Sequence, residues 1–530
     1  MGFLVLDEDY ESQTQAKIQA SRSPDSVLRG DLMCKITMPL LINPEFPETN
    51  LACHETAQET AYVSAHISSR IHDWYSQLAV HAADPTSPST PVIAPEGIAL
   101  DIEVAPQSFD RYPYCGHRRY HSGRLRLHDP ETLPLLPFVN RLSVKSAASY
   151  HGVCNLGDIR PLSLLLPLQC AAALPNLTTL LLPWMWERPM PYASSSTPVR
   201  EHYLRPWEGP LRDARHEFGH AIREPEMFLR GRRIPASLKN ALLHFWEPAQ
   251  IAEEDQTVAR PDLIHPAERD PVSVGLCRWA AQLERLDLRA LVTEDLFPAA
   301  AGAAEDQQQP QWSSMQRLRV EFHPLRPDGM WYFVGPRGED PLRSGGSEDE
   351  REGGFQISET RDYPREYDIA ADEDIDEEYE DFPNGPDDID HLPDLFRTEP
   401  HRKRIEPLLA RFAAAVANMP KLEDAELFTY LWWTPSESRE EEYAGDAPYD
   451  NDSVHRWGVR YLAGGSGGDN GTGNGKTTSP AVQWQVGDWR PSTEVMALFE
   501  ALGTQEWLDL EFTEGRCRST FDDAMPGRFS

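Results

Sequence analysis

The sequence predicts an α/β fold in which helices alternate with short parallel strands, and three observations support this prediction. The first is an apolar cadence, apolar-x-x-apolar-x-apolar, that returns along the chain. The second is that helix-like stretches lie between the cadences. The third is that a proline step joins helix to cadence, as at Leu174-Pro175 and Met419-Pro420. Proline ends a helix because it lacks the amide proton and disfavours helical backbone in the preceding residue.

The cadence is typical of the strand half of a leucine-rich repeat, where a short strand points apolar side chains into a shared core. A regular repeat of this type takes about 20–29 residues, and the spacing here is longer and uneven. The sequence therefore predicts a degenerate leucine-rich-repeat-like solenoid with insertions, and an ordinary α/β domain with similar strands is the alternative. The matching triplets are Val139/Leu142/Val144, Leu177/Leu180/Leu182, Leu238/Ala241/Leu243, Leu283/Leu286/Leu288, Met315/Leu318/Val320, Leu422/Ala425/Leu427 and Trp507/Leu510/Phe512.

Apolar periodicity and composition divide the chain into regions. Helices are predicted around 55–78, 159–173, 274–283 and 405–418, because apolar residues recur there at helical spacing. The predicted regions are a poorly defined, partly helical part (1–120), the repeat array (121–335), an acidic disordered insertion (336–400), the C-terminal part of the array (401–515) with a Gly-rich loop (464–478), and a tail (516–530).

The acidic insertion is defined by its charge. Glu348 to Asp394 contains twenty Asp or Glu residues and three Arg residues. Self-repulsion and a shortage of core-forming residues predict disorder for such a segment. A tether for a basic partner or a cation is the functional alternative to a solvated loop.

Composition excludes several classes of function. The formal net charge of -35 argues against nucleic acid or an anionic membrane as the main partner, since both require basic surfaces. Seven scattered cysteines do not form a disulfide framework, which favours a reducing compartment. No apolar run reaches the length of a membrane helix. We therefore expect an intracellular protein, cytoplasmic or nuclear.

One segment imitates a catalytic motif. His216-Glu217-Phe218-Gly219-His220 matches H-E-x-x-H, in which two histidines one turn apart bind zinc and the glutamate acts as general base. The third ligand of the metzincins is absent, because Arg223 and Glu226 occupy the places of its glycine and histidine. The charged run 212–215 is also unusual for the buried helix of a peptidase. We expect an amphipathic helix with solvent-facing histidines, and a zinc site of His216 and His220 with Glu217 as base is the alternative.

Two further patterns are weaker. The tract 471–478 imitates a phosphate-binding loop, but Asn470 stands where the first glycine is needed and Pro480 follows instead of a helix. Cys115, His117 and His121 offer part of a metal site without a fourth ligand nearby. We expect no cofactor and no structural metal from either.

Several phrases occur together in a fixed order. They are Leu174-Pro175-Asn176-Leu177 with Trp184 and Trp186, then 207–218 (WEGPLRDARHEF), Ile234-Pro235-Ala236-Ser237-Leu238 with Phe245-Trp246, Ile405-Glu406-Pro407-Leu408-Leu409-Ala410, and Met419-Pro420-Lys421-Leu422-Glu423-Asp424-Ala425. Over about residues 120 to 515 the chain resembles the F-box/leucine-rich-repeat-like proteins of filamentous fungi.

The resemblance implies an F-box near the N-terminus that docks a ubiquitin-ligase adaptor, and a repeat region that recruits a target. No Leu-Pro-x-Glu opening with an Ile/Leu-rich helix occurs in residues 1–60, where Thr37-Met38-Pro39-Leu40-Leu41 comes nearest. The family implies no catalytic residues.

The sequence therefore predicts a non-enzymatic, protein-binding scaffold, and the resemblance assigns it the role of substrate-recruiting adaptor of an F-box type ubiquitin ligase. The alternatives are a zinc-dependent hydrolase and a relic without a strong partner.

Overall fold

Two units of the chain are each built on a mostly parallel β-sheet. Unit 1 comprises residues 1–238 and 358–391, and unit 2 comprises 239–357 and 392–530, so the division falls inside the predicted array 121–335. The computed structural model describes residues 4–6, 31–38, 40–42, 57–83, 97–105, 123–146, 160–185, 197–246, 256–298, 310–341, 354–357, 394–443, 448–450, 453–464 and 479–513.

The strands of unit 1 form a parallel sheet in the order β2-β4-β5-β6, and β1 pairs with β3 in an antiparallel pair. The described strands are β1 (Leu4–Leu6), β2 (Asp31–Ile36), β3 (Leu40–Ile42), β4 (Ile98–Val104), β5 (Val139–Ser146) and β6 (Thr179–Trp184). The nearest match to an F-box opening leads into β3.

Leucines occupy one register position across this sheet. Leu32 pairs with Leu100, Leu100 with Leu142, and Leu142 with Leu180. Leu100, Leu142 and Leu180 have no exposed surface. Register partners on neighbouring strands point to the same face of the sheet, so these leucines form one buried row. The cadence therefore extends to β2 and β4, where the sequence did not predict it.

Helices cover unit 1 with apolar faces. The described helices are α1 (Ala57–Ala83), α2 (Leu165–Ala171), α3 (Thr197–Arg223) and α4 (Pro225–Phe228). In α1 the apolar residues Ile67, Ile71 and Trp74 are buried, whereas Ala61 and Ala65, which were expected on the same face, are exposed. Every residue of α2 is buried, and the Tyr75 hydroxyl of α1 donates to the Cys170 carbonyl in α2 at 3.2 Å.

Unit 2 contains the larger set of strands. They are β7 (Asn240–His244), β8 (Pro261–Asp262), β9 (Arg285–Ala290), β10 (Arg317–Phe322), β11 (Phe333–Val334), β12 (Phe355–Gln356), β13 (Glu399–Pro400), β14 (Asp424–Trp433), β15 (Ser453–Leu462), β16 (Ala481–Gln485), β17 (Thr504–Trp507) and β18 (Glu511–Thr513). Its helices are α5 (Pro271–Trp279), α6 (Arg402–Ala417), α7 (Glu437–Glu442) and α8 (Thr493–Glu500).

The main sheet of unit 2 runs in the order β7-β9-β10-β14-β15-β16-β17. The first four strands are parallel, β15 is antiparallel to β14 and β16, and β17 is parallel to β16. The strand β18 extends the line of β16 along β15. This sheet is mixed at its C-terminal side and parallel at the other.

The cadence positions of unit 2 share one row. Ala241 pairs with Leu286, Leu286 with Leu318, and Leu318 with Ala425. All four are buried. The prediction of neighbouring strands at Leu286, Leu318 and Ala425, and separately at Leu142 and Leu180, is confirmed.

The last cadence match is wrong. Trp507 ends β17, Phe512 lies in β18, and their side chains are 38% and 50% exposed. Trp507 and Phe512 have the spacing of the cadence, but they belong to different strands, so they do not share one buried row. The mixed α/β class with a mostly parallel sheet is confirmed, and the leucine-rich-repeat solenoid stays a prediction.

Parts of the predicted acidic insertion are built into unit 2. Residues 355–356 pair with 261–262, and 399–400 pair with 333–334. Gly354 allows a close approach, because a β-carbon there would lie 2.3 Å from the Arg260 carbonyl oxygen. Residues 342–353 and 358–393 lie outside the described residues.

The two segments that flank the Gly-rich loop form an antiparallel hairpin. Leu462 at the end of β15 pairs with Ala481 at the start of β16. Residues 465–478 of the loop and the tail 516–530 lie outside the described residues.

A network of buried ion pairs links residues near the two ends of the predicted acidic insertion. The Asp340 carboxylate accepts from Arg397 Nη1 and Arg404 Nη2, each at 2.9 Å. Arg439 donates from Nε to Asp394 at 2.6 Å and also binds Glu339. The residues on both sides of the insertion are thereby joined.

No helix among the residues that the structure describes combines the length and the apolar character needed to cross a membrane.

Candidate functional site

The side chains between the cadence positions define a second face of the unit 2 sheet. Alternate residues of a strand point to opposite faces, so the polar residues between the last two cadence positions of a strand and those just after the last position lie together. We call seven of them the polar ladder: His244, Asp287, Arg289, Arg319, Glu321, Glu426 and Arg456. They come from five adjacent strands, β7, β9, β10, β14 and β15.

Opposite charges meet across neighbouring strands of the ladder. Arg319 lies 3.6 Å from Asp287 on one side and 3.3 Å from Glu426 on the other. Arg289 donates to Glu321 at 3.0 Å, within one register pair. Cross-strand pairs of this kind stabilise a sheet by about 0.2–1 kcal/mol each. The three arginines and three carboxylates of the ladder balance one another.

The ladder continues past Glu426 to the antiparallel strand β15. Arg456 binds both Glu426 and Gln485. The guanidinium groups of Arg319 and Arg456 lie 4.6 Å and 4.3 Å from the centre of the Phe428 ring. One aromatic ring thus serves both cations, which adds cation–π attraction to the ion pairs.

Gly458 makes room for the backbone of that aromatic residue. Gly458 is the register partner of Phe428, and a β-carbon at Gly458 would lie 2.5 Å from Phe428 Cβ and 2.5 Å from the Leu427 carbonyl oxygen. Both distances are shorter than real contacts, so the ladder requires glycine here.

The histidine at the end of the ladder is held neutral. Burial lowers the pKa of His244, and the neighbouring Arg289 lowers it further, against the effect of Asp287. His244 Nε2 lies 3.1 Å from Asp287. Because a carboxylate only accepts hydrogen bonds, Nε2 carries the proton and donates it. This fixes the tautomer and the orientation of the ring.

The arginine at the centre is held charged. Burial lowers the pKa of Arg319, but Asp287, Glu321 and Glu426 outweigh burial and raise its pKa above the ordinary value. Arg319 is therefore a fixed positive charge at the centre of the ladder.

The amino-terminal rim of this face is accessible. Arg317 and Glu423 form a pair at 3.5 Å with side chains 57% and 60% exposed. Arg460 donates to both oxygens of Asp424, at 2.9 Å and 2.7 Å, and Lys239 binds Glu284 beside them. We call these six residues the polar rim. The ladder below it is mostly buried, and the rim presents alternating charges to solvent.

Unit 1 has a shorter charged row at equivalent positions of its own sheet. Glu103 of β4 lies 2.9 Å from Lys145 of β5 and 4.0 Å from Lys35 of β2. The three residues share one register row. Charged residues one position after the last cadence residue thus occur in both units.

The H-E-x-x-H segment lies on α3, as predicted. The packing stripe is buried at Leu211, Ala214, Phe218 and Ala221. The expected solvent-facing position of the histidines is not observed: His216 and His220 are half-buried, with ring centres 6.3 Å apart, and His220 stacks on Phe228 at 5.8 Å.

Glu217 has a partner that is not a metal. Its carboxylate accepts from Arg126 Nη2 at 2.8 Å. Within the described residues no group of three or more histidine, cysteine, aspartate or glutamate side chains is placed to hold a metal ion. The alternative zinc site at His216 and His220 thus finds no third ligand in the part that is described.

One argument made from the sequence fails. The charged run at 212–215 does not face solvent, because Arg212 and Arg215 are 3% and 1% exposed. Arg212 Nε donates to the adjacent Asp213 at 3.3 Å. Buried arginines therefore occur on this helix, and charge alone does not decide its role.

The remaining predicted sites cannot be placed. Cys115, His117 and His121 lie outside the described residues, and so does the glycine-rich tract 471–478. The ladder was missed because its partners are distant in sequence: Arg319 and Glu426 are 107 residues apart. The signal in the sequence that could have indicated the ladder is the charged residues between and directly after the cadence positions.

No family model, no curated protein and no solved structure matches this chain.

Proposed function

We propose that this protein is a non-enzymatic scaffold that binds a protein partner through the polar rim of unit 2. The observation that carries the proposal is the alternation of positive and negative side chains in the polar rim, beside the polar ladder. The rim side chains are paired with one another, as Arg460 with Asp424 and Lys239 with Glu284, so part of their side-chain entropy is already lost before a partner binds. Fixed alternating charges give specificity by penalising a partner with the wrong pattern.

The resemblance to F-box/leucine-rich-repeat-like proteins specifies the class of partner. In this proposal the rim recruits a target protein for a ubiquitin ligase. The support is the order of the quoted phrases in the sequence and the parallel strands that carry the cadence.

A charge swap tests the role of the rim. The double variant Arg317→Glu/Glu423→Arg keeps the ion pair but inverts the pattern that a partner meets. The matched control is Arg233→Glu/Glu226→Arg in unit 1, an exposed pair at 2.6 Å. Each tagged protein is purified from its native cells, and the co-purifying proteins are quantified by mass spectrometry.

We expect one or more partners to be lost with the rim swap and kept with the control, at unchanged melting temperature. A ubiquitin-ligase adaptor among the proteins kept by both variants supports the F-box assignment. Equal recovery of every partner by parent and rim swap would overturn the role of the rim.

A further inference from the structure

The last strand of the unit 2 sheet has an open edge. β17 pairs with β16 on one side, and none of the other described strands pairs with its second side. Thr504 N donates to the Pro480 carbonyl at 3.0 Å, and Leu508 N donates to the Trp484 carbonyl at 2.8 Å. Because backbone groups alternate along a strand, Gln505 and Trp507 direct their N–H and C=O groups to the open side.

This edge is rigidly held. Trp484 Nε1 donates to Gln505 Oε1 at 2.8 Å, and Gln505 Nε2 donates to the carbonyls of Phe499 and Gly503, each at 2.8 Å. The Trp507 ring stacks on Trp484 with centres 5.4 Å apart. A fixed strand loses little entropy when another strand adds to it.

The edge has only part of the usual protection against strand addition. Natural edge strands are short or carry charged side chains, proline or a bulge; β17 is short and carries the exposed Glu506, but its sequence Thr-Gln-Glu-Trp has no lysine or proline. Trp507 and Leu508 are 38% and 42% exposed, and as neighbours in an extended chain they point to opposite faces. An added strand therefore gains backbone hydrogen bonds, an apolar contact with Leu508 on one face, and on the other face a contact with the exposed part of Trp507, a ring that also contacts Trp484 and Arg490.

The charge around the edge selects the occupant. Residues 491–513 contain no lysine or arginine, although the Arg490 guanidinium just before them lies 3.8 Å from the centre of the Trp507 ring. They contain five exposed carboxylates, at Glu494, Glu500, Glu506, Asp509 and Glu511. A second copy of the chain would bring the same negative charge to the edge and be repelled. We propose that the β17 edge binds an extended basic peptide of a partner by strand addition, at a surface separate from the polar rim.

Fluorescence anisotropy with a labelled peptide of alternating lysine and valine tests this proposal on the full chain. Two control peptides separate the contribution of charge from that of backbone hydrogen bonds. A peptide of alternating glutamate and valine reverses the charge. Methylation of every backbone nitrogen in the lysine–valine peptide removes the hydrogen bonds but keeps the charge. We expect the lysine–valine peptide to bind and both controls to bind at least about tenfold more weakly. Equal binding of the methylated peptide would show attraction by charge alone and would overturn strand addition.

Charge-reversed proteins locate the binding. Glu506→Lys/Asp509→Lys should weaken the peptide about tenfold or more, whereas Glu437→Lys/Glu441→Lys, equally exposed on α7, should change Kd by less than about twofold. Equal weakening by both would place the peptide elsewhere and overturn the proposal.

Two measurements separate the remaining outcomes. The rim swap Arg317→Glu/Glu423→Arg should leave peptide binding unchanged, so failure at the rim and failure at the edge are distinguishable. Sedimentation velocity of the parent and of Trp507→Pro, which removes one open N–H, reports self-association. A dimer that the proline abolishes would make a second copy the occupant and overturn the proposal.

Discussion

At the scale of single residues, His455 couples folding to pH. The ring has no exposed surface, and neither ring nitrogen has a hydrogen-bond partner within the described part of the chain. It lies between aromatic rings, with centres 4.6 Å from Tyr449 and 5.5 Å from Phe512. Burial lowers the pKa of His455 from 6.5 to about 4, because the charged form loses its hydration.

The folded-state pKa lies below the unfolded value, so the unfolded chain takes up the proton first. The contribution of His455 is fully present above about pH 6.5 and is lost as the pH falls toward about 4. By about pH 5 the loss should reach about 2 kcal/mol. Urea unfolding of parent and His455→Phe at about pH 7 and about pH 5 measures the difference. A difference between the two proteins that does not change with pH would contradict the lowered pKa.

Asp340 is a second residue with a large expected effect. Burial raises the pKa of its carboxyl, but Arg397 and Arg404 outweigh burial and hold the pKa below its usual range. Asp340→Asn would leave two buried guanidinium groups without their counter-charge, at a cost of about 3–5 kcal/mol. The control is Glu423→Gln in the exposed pair with Arg317, where about 0–1 kcal/mol is expected. Similar urea midpoints for the two variants would argue against the network.

At the scale of elements, burial separates true cadence strands from false ones. Leu286→Ala in β9 should cost about 2–5 kcal/mol, because the leucine packs in a closed core row. Phe512→Ala in β18 fits the same sequence pattern, but its side chain is half-exposed, so we expect a loss below about 1 kcal/mol. Thermal or urea unfolding of both variants checks this order. A reversed order would mean that the cadence rows are not the core.

This contrast shows how far the sequence determines the elements. The strands β5, β6, β7, β9, β10 and β14 were predicted because three apolar side chains at the right spacing must be buried together. At β2 and β4 the first cadence position holds Arg29 and Gly97, so the pattern was incomplete there.

The site was less predictable than the strands. Each ladder residue looks like an ordinary solvated charge in its own segment. Its partners are fixed only by the register of neighbouring strands, such as Arg289 opposite Glu321. Local periodicity reports which residues are buried, but it does not report which strands become neighbours or in what register.

The helix α3 has a prediction of its own. We expect zinc in the purified protein to lie far below one ion per chain, since two histidines supply only two of the three protein ligands of a catalytic site. Elemental analysis of the parent beside His216→Ala and His220→Ala decides this. One zinc per chain in the parent, lost in both variants, would favour the hydrolase instead.

At the scale of the whole molecule, the acidic insertion carries much of the net charge. Residues 362–390 contain fourteen carboxylates and one arginine. Their replacement by a short Gly-Ser linker, which keeps the paired residues 355–356 and the Asp394 contacts, should change the melting temperature by less than about 2 °C. A drop of many degrees in calorimetry would show that this segment packs against the rest of the chain.

The pairing of β11 with β13 affects how well the chain between these two strands tolerates inserted residues. Val334 and Glu399 are held side by side by the sheet, and Arg397 ties the same point to Asp340. The entropy of closing a flexible loop rises only with the logarithm of its length, about 0.6 kcal/mol for each doubling. We therefore expect residues 362–390, between these anchors, to accept a fluorescent protein or another folded module while unit 2 keeps its fold.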